Sequence, residues 1–248
     1  MAARTLIRSP SESKSDRDRR EPREHPLTAD TQLLDFTVHL ARTESRILQA
    51  IKVRKDSFKK HNTWLPDEEF DRRDRQKGSV AFVAIRKGSN EPLGSLRIET
   101  NRQRPLAFER EVDLPVKYRG LHLAHISRLS TIAGKEGRSC RSALFKALYL
   151  YSLATEVRYF FALAVPPTEK LYYRIGFKPV FRDGDQRVPR HLYQGKEVHL
   201  LSVKVEQLPR KMKILSPELH QFVCLQRHPD IRIFESVSSS WETMRVIE

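Results

Sequence analysis

A cluster of cations and glycines between two predicted regular elements has the composition of a phosphate-binding turn. It occupies residues 133–138 and the start of the helix predicted to follow. Backbone N–H groups at a helix N-terminus and the helix dipole both favour a bound anion. An ordinary strand–helix connection with a solvated basic loop has the same composition and remains the alternative. The candidate residues are Gly134, Lys135, Gly137, Arg138, Arg141 and Lys146.

The elements around this cluster are predicted from hydrophobic periodicity. Leu121–Ile132 is mostly apolar and β-branched, which predicts a strand inside a sheet. The next helix has an apolar stripe from Cys140 to Ala154 at i, i+3, i+4, i+7 spacing. Residues Arg158–Val165 are predicted to form a second strand. It ends there because the two prolines that follow cannot continue a strand ladder. This order gives a parallel strand pair joined by a crossover helix.

Four short motifs occur between about Leu33 and about Val205. The chain reads LYYRIGF at 171–177, HISRL at 125–129, FTVHLA at 36–41 and DEEFD at 67–71. The first resembles the LYxxxGF signature near the end of the GNAT acyltransferase fold. The second resembles the E-[IV]-S-R-[FL] strand of autoinducer (acyl-homoserine-lactone) synthases and of the related N-acyl amino acid synthases. The last two resemble the first strand and the acidic D-x-x-[FY]-D segment of that group.

The resemblance implies an α/β (α+β) fold, with a mixed, strongly twisted sheet, helices on both faces and splayed central strands. The strands 121–132 and 158–165 would pair partly and then diverge. The gap would accept a phosphopantetheine arm along the backbone near Ser130, Thr131 and Ile132. Its phosphate would meet the 134–138 turn, with Arg138 and Arg141 as anchors. No metal or permanently bound cofactor is implied, since the thioester is a co-substrate.

Attack of an amine on a thioester needs a base, donors for the carbonyl oxygen and an acid for the thiolate. His125 replaces the glutamate of the synthase motif, and an imidazole can act as a base near neutral pH. A packed structural histidine is the alternative. Ser127 and Arg128 match the motif, and strict alternation places Arg128 on the face opposite His125 and Ser127. A buried Arg128 needs a partner, for which Asp71 or a carboxylate within Glu109–Asp113 is predicted.

Further roles come from the resemblance alone. Asp67 and Asp71 are expected near the acceptor, to bind its ammonium or relay its proton, and a solvated turn is the alternative. Tyr172 stands where many GNAT enzymes keep a tyrosine acid for the thiolate. Phe160 and Phe161 are expected to line an acyl pocket, although aromatic residues on such a strand also serve as core.

The charge of the chain predicts an acidic partner. The net charge is +15 over 248 residues. An acyl carrier protein is the expected donor partner, with a small amine or amino acid as acceptor. Peripheral contact with a membrane surface and, less favoured, nucleic acid also suit a basic surface. Two cysteines form no disulfide framework and no signal-peptide pattern is visible, so a cytoplasmic location is expected.

Three regions differ in composition. Residues 1–30 are rich in Ser, Arg, Glu, Asp and Pro and are predicted to be a disordered tail. Residues 31–208 are the predicted acyltransferase domain. Residues 209–248 form a C-terminal extension to which the sequence assigns no role.

The resemblance implies transfer of a fatty acyl group from an acyl carrier protein or acyl-CoA thioester to the amine of an amino acid or similar small amine. Two alternatives stay open. One is an acetyl-CoA-dependent N-acetyltransferase. Such enzymes carry a [RQ]-x-x-G-x-[GA] loop, and this chain reads RSCRSA at 138–143 instead, which argues against that alternative. The other is a non-catalytic binding protein for nucleic acid or a carrier protein on a degenerate GNAT fold.

Overall fold

Eight strands form one continuous sheet in the described part of the chain. The computed structural model describes residues 30–60, 72–166, 168–181, 188–189 and 198–234. The strands are β1 (Phe36–Leu40), β2 (Ser79–Arg86), β3 (Pro92–Thr100), β4 (Leu123–Thr131), β5 (Tyr159–Ala164), β6 (Lys178–Pro179), β7 (His199–Lys204) and β8 (Ile231–Arg232). Their spatial order is β6-β7-β5-β4-β3-β2-β1-β8. The pairs β4–β5 and β1–β8 are parallel and the other neighbours are antiparallel, which confirms the predicted mixed sheet.

Helices lie on both faces of this sheet, as predicted. They are α1 (Glu44–Lys60), α2 (Gly134–Ala154), α3 (Glu169–Tyr173), α4 (Leu208–Leu215) and α5 (Pro217–His220), and a wide π-type turn, Gln221–Leu225, continues α5. Short 3₁₀ turns occur at Ala107–Arg110, Val116–Tyr118 and Val205–Gln207. No helix in the described ranges is long and apolar enough to span a bilayer. Of the predicted tail, residues 1–29 lie outside the described residues.

Side chains alternate along the central strands, so the two faces of the sheet differ. On β2, Phe82 belongs to the core beneath α2, whereas Val83 packs with Ala50 of α1 on the other face. β3 continues this pattern, since its apolar residues join the core beneath α2. Its polar residues Ser95, Arg97 and Glu99 alternate with them and lie on the α1 face. The α1 face therefore carries the buried polar groups of the sheet centre.

The start of α2 differs from the sequence prediction. The helix begins at Gly134, so residues 134–138 form its first turn and not a loop. Gly134 has φ +85°, a conformation that favours glycine and lets β4 turn directly into the helix. A Cβ atom at Gly137 would lie 1.8 Å from the carbonyl oxygen of Ile132. Glycine at this position therefore allows the helix N-terminus to sit tightly against the end of β4.

The predicted divergence of the two central strands is present between β4 and β5. They pair only at Leu123–Tyr159, Ala124–Phe160 and His125–Phe161 within the described residues. Beyond this point β4 stays paired with β3 and β5 stays paired with β7. We call the space between residues 126–131 of β4 and 162–164 of β5 the β4–β5 gap.

A β-bulge interrupts β4 beside this gap. The pairing with β3 shifts between Arg97–Ser127 and Ser95–Ser130, and Arg128 has φ +57°. The strict alternation assumed from the sequence therefore ends at Ser127. Ser127 keeps its predicted side, because its hydroxyl accepts a hydrogen bond of 3.2 Å from Arg97 Nε on the α1 face.

The C-terminal segment, residues 208–234, packs onto the domain. β8 pairs with β1 at the edge of the sheet, and Val223 and Ile233 are buried in the main core. This described part of the predicted extension is thus continuous with the core beneath α2. It brings apolar side chains to the far side of the β4–β5 gap.

Lys146 fastens that segment to α2. Its side chain is buried, and its ammonium donates to the carbonyl oxygen of Phe222 at 3.0 Å and to that of Gln226. The nitrogen Nδ1 of His228 lies 3.0 Å from the same ammonium. The predicted contact of Lys146 with a phosphate is therefore wrong, because its hydrogen bonds are made inside the protein.

Candidate active site

A carboxylate and an imidazole face each other at the mouth of the β4–β5 gap. Glu99 of β3 and His125 of β4 are directly opposed across the strands. Oε2 of Glu99 lies 3.5 Å from Nδ1 of His125, and both side chains are buried. His125 is also the last residue of β4 that pairs with β5. We call these two residues the Glu99–His125 pair.

From the sequence, His125 was named as a candidate base but Glu99 was not identified as part of the site. The signal was present, because polar residues recur at every second position of a strand that is otherwise buried. Ser95, Arg97 and Glu99 follow this spacing on β3, and buried polar residues at one strand face indicate a functional or ion-paired site. The glutamate that the synthase motif carries on β4 is thus replaced by a histidine with a carboxylate on the neighbouring strand.

A buried ionic network holds this pair in place. Arg97 Nε lies 3.6 Å from Glu99 Oε2, and Arg97 Nη1 lies 3.8 Å from Asp74 Oδ1. Arg54 of α1 forms an ion pair with Asp74, and its Nε donates to Ser95 Oγ at 3.1 Å. Arg54, Asp74 and Arg97 are shielded from solvent, so the network links α1 rigidly to β3.

The network also sets the charge state of Glu99. Burial by itself raises the pKa of the Glu99 carboxyl, but its interaction with His125 and the charge of Arg97 outweigh burial and lower the pKa to about 2. Burial lowers the pKa of Arg97 to about 10, against the opposing charge of Glu99. Both groups are ionised at neutral pH. A negative charge is therefore held beside the imidazole of His125.

Backbone direction along β4 decides which groups face the gap. Asn101 N–H donates to Leu123 O at 3.1 Å, and Ile132 N–H donates to Leu93 O at 2.9 Å. Because successive residues of a strand point their backbone groups to opposite sides, Ile126 and Thr131 face the gap. By the same alternation Ser130 and Ile132 face β3. Among the predicted pantetheine contacts, Thr131 remains a candidate, and the backbone contacts of Ser130 and Ile132 are wrong.

The N-terminus of α2 lies at the far end of the gap. Lys135 and Arg138 are exposed and Arg141 is half-buried. Glu136 is paired with Arg86, whose Nη1 lies 2.6 Å from Glu136 Oε1. The N-cap residue, Ala133, makes no side-chain cap, so the first N–H groups of the helix have no side-chain acceptor there. Gly134, Gly137 and these cations remain the candidate phosphate contacts.

An apolar cavity of about 20 Å³ lies on the α2 face of the sheet, next to the point where β4 and β5 stop pairing. Ile126 of β4 and Phe160 of β5 line it from the sheet, and Met212, Leu219 and Val223 of the C-terminal segment form its far wall. The remaining described lining residues are Phe145, Leu148, Tyr149, Ile175, Phe177 and Leu208. We call this space the apolar cavity.

The two predicted pocket phenylalanines lie on opposite faces of the sheet. Phe160 lines the apolar cavity, and its predicted role in an acyl pocket stays a prediction. Phe161 instead packs on the α1 face, with its ring centroid 5.1 Å from that of Phe108 and 5.0 Å from that of Tyr118. Its role in an acyl pocket stays a prediction. Tyr172 is buried in the same core as Phe160, with its ring 5.2 Å from Phe177, and its role as the acid stays a prediction.

A cationic pocket of about 450 Å³ opens on the other side of the Glu99–His125 pair. Its described lining includes Glu99, Gln76, Thr100 and Leu106 and four arginines, Arg72, Arg73, Arg104 and Arg110. We call it the arginine pocket.

Asp67 and Asp71, predicted near the acceptor, lie outside the described residues. Arg128 is half-buried at the bulge, and its predicted pairing with Asp71 stays a prediction.

Comparison with solved structures decides the fold. FeeM, an N-acyl amino acid synthase from uncultured soil microbes, matches with a TM-score of 0.55 at 14% identity, over 71% of this chain and 94% of FeeM. The fold is that of the GNAT acyltransferases. BjaI, a CoA-dependent acyl-homoserine lactone synthase, matches at 0.53 with 11% identity, over 84% and 99% of the two chains. The acyl-homoserine lactone synthase LasI matches at 0.50 with 16% identity, over 73% and 95%.

The TM-scores of 0.50 to 0.55 establish the GNAT fold, and at identities of 11 to 16% they establish the fold alone. No protein-family model matches this sequence, and no curated protein sequence matches it. The strands that the sequence motifs predicted at 36–41 and 125–129 are β1 and part of β4 of this fold. The predicted GNAT resemblance is therefore confirmed at the level of architecture.

The ionised Glu99 predicts a loss of stability in acid. Its pKa is about 2 in the folded chain against an ordinary 4.5, so the unfolded chain binds the proton first. Its contribution is complete above about pH 4.5 and is lost as the pH falls toward about 2, by at most about 3 kcal/mol. We expect the free energy of unfolding, measured by denaturant titration, to fall less steeply between about pH 6 and about pH 3 in Glu99→Gln than in the native chain.

Glu218→Gln provides the matched control, because Glu218 is exposed. Its pH dependence should equal that of the native chain. Equal slopes for Glu99→Gln and the native chain would show that Glu99 is not held ionised by its neighbours.

Proposed function

We propose that this protein is an N-acyltransferase that moves an acyl group from a phosphopantetheine thioester to an amine. One observation carries the proposal: the pairing of β4 and β5 ends at His125, with the buried Glu99–His125 pair on the α1 face and the apolar cavity on the α2 face of that point. An extended pantetheine arm can bond to the backbone of Thr131 along the gap. Its acyl chain would enter the apolar cavity, and its phosphate would lie at the N-terminus of α2.

His125 is the proposed base and Glu99 the group that positions it. The imidazole takes a proton from the acceptor ammonium, and the Glu99 carboxylate stabilises the resulting imidazolium. The free amine nitrogen attacks the thioester carbonyl, a C–N bond forms and the C–S bond breaks. The nitrogen of the new amide gives up its second proton, and the departing thiolate takes up one proton to become a thiol. Tyr172 is the predicted donor of that proton and is reprotonated by the one that the nitrogen loses. N–H groups of β4 that face the gap can donate to the carbonyl oxygen as it gains charge.

The donor is proposed to be an acyl carrier protein or acyl-CoA. The net charge of +15 would speed the approach of an acidic carrier protein by electrostatic steering. Among structures of similar fold, BjaI is described as CoA-dependent and was solved with isopentyl-CoA. Both donors present the same arm to the gap, so the arrangement of β4 and β5 serves either.

The size of the apolar cavity favours a second candidate donor, acetyl-CoA. A volume of about 20 Å³ holds roughly one methyl or methylene group. A longer chain would have to displace residues of the far wall, which belong to the C-terminal segment. Acetyl transfer needs no such displacement. The length of the acyl group transferred therefore separates the two candidates.

Replacing His125 should remove turnover more than donor binding. We expect His125→Ala to lower kcat by about a hundredfold or more, because the base is lost, with donor affinity nearly unchanged. Thiol release from a panel of acyl-CoA and acyl carrier protein thioesters, with mixed amino acids as acceptors, measures kcat. Mass spectrometry identifies the amide product.

His122→Ala is the matched control, since His122 precedes the same strand and lies outside the site described above. It should retain turnover. His125→Asn, checked by circular dichroism, guards against a variant that fails to fold. Full turnover in a folded His125 variant would make the residue structural.

Substitutions in the far wall should change acyl-chain preference. Val223→Phe fills part of the apolar cavity, so we expect it to lower kcat/KM for dodecanoyl donors by about tenfold while acetyl donors are affected least. Met212→Ala should have the opposite effect. Leu153→Phe, at an exposed position of α2, is the control. An unchanged ranking of acetyl, hexanoyl and dodecanoyl thioesters in both variants would remove the cavity from the acyl site.

A further inference from the structure

The arginine pocket has a charge that the transfer reaction itself does not require. Four guanidiniums, from Arg72, Arg73, Arg104 and Arg110, line it, and Glu99 is the one carboxylate in its described lining. That lining therefore has an excess of three positive charges. Neutral Gln76 and Thr100 complete its polar part. Amine attack needs a base and a place for an ammonium, and neither calls for several cations.

The arginines of this pocket are not consumed by ion pairs within the described chain. No described carboxylate lies in ion-pair contact with Arg72, Arg73, Arg104 or Arg110. Arg104 donates to the side-chain oxygen of Gln76, which fixes its position without neutralising it. Arg73 and Arg104 are half-buried, so their charges are less screened than those of surface residues.

The pocket is also separate from the proposed donor phosphate site. It touches Glu99 and Thr100, which lie beside His125 near the start of β4. The N-terminus of α2 follows Thr131 at the other end of that strand. Six residues of extended chain between His125 and Thr131 span about 20 Å. The two cationic regions therefore lie at opposite ends of the gap, with the reacting atoms next to the arginine pocket.

We propose that the acceptor is an amine that carries at least two negative charges, an aminodicarboxylate or a phosphorylated amine. This inference rests on the proposed acyl transfer. The acceptor ammonium approaches the Glu99–His125 pair, and its anionic groups bind the arginines by bidentate, charge-assisted hydrogen bonds. A concave space of about 450 Å³ suits a small molecule of this kind.

The test compares acceptors that differ in negative charge, with the full chain and the acyl thioester that it turns over fastest. Glycine and leucine carry one negative charge, aspartate and glutamate carry two, and phosphoethanolamine and O-phosphoserine present a phosphate. We expect kcat/KM to be at least about tenfold higher for the last two groups, in line with an additional charge-assisted hydrogen bond. The difference between the dicarboxylates and the phosphorylated amines identifies which anion is preferred.

A variant series ties the preference to the pocket. Arg110→Gln should reduce the preference for dianionic acceptors about tenfold, chiefly through KM, because Arg110 is exposed and its loss leaves the core intact. Arg119→Gln, an exposed arginine paired with Asp113 and outside the pocket lining, should leave the preference unchanged. Calorimetric titration with glutarate, which has no amine, measures anion binding without turnover and should weaken in Arg110→Gln.

The possible results separate this inference from the proposed function. Acylation of leucine as efficient as that of glutamate would overturn the inference and leave acyl transfer standing. Glutarate binding that depends on Arg110, with no acceptor acylated, would support the anion site and overturn the proposed function. Displacement of glutarate by a single-stranded oligonucleotide at equimolar concentration would assign the pocket to nucleic acid and overturn the inference.

Discussion

The incomplete pairing of β4 with β5 is the constraint on which the rest of the structure depends. Backbone groups that lose a ladder partner inside a protein need another partner, and a strand edge left open invites pairing. Here each strand is held by its other neighbour, β3 for β4 and β7 for β5. The C-terminal segment packs apolar side chains against the α2 face of both strands, and Lys146 fastens that segment to α2. These contacts on either side of the gap keep β4 and β5 apart.

The buried charged residues position the groups around His125. Removing Arg54, Asp74, Arg97 and Glu99 from water is unfavourable, and such clusters often add little to stability. Their arrangement nevertheless fixes α1 and the 72–78 segment against β3 and holds an ionised carboxylate against His125. The same segment supplies Arg72 and Arg73 to the arginine pocket. A network that positions a base and shapes an acceptor site explains why these charges stay buried.

The sequence predicted the architecture well because strands and the crossover helix have strong local patterns. The hydrophobic runs at 121–132 and 158–165 correspond to β4 and β5, and the resemblance to the GNAT fold implied that these strands diverge. Features that depend on neighbours in space were harder to predict. Glu99 becomes significant only when the register of β3 and β4 places it opposite His125. Lys146 has the composition of a phosphate ligand, yet the C-terminal segment surrounds it. The different positions of Phe160 and Phe161 could be assigned only once it was known which face of the sheet each side chain occupies.

Amide hydrogen exchange in the presence of a donor analogue tests the central claim most directly. The probe is an acyl-pantetheine thioether, which has no cleavable thioester, added to the full chain. Our account predicts slower exchange at Ile126 and Thr131 of β4 and at residues 162–164 of β5, because the arm and its acyl chain occupy the gap between them. Binding of the thioether with unchanged exchange in both strands would contradict it.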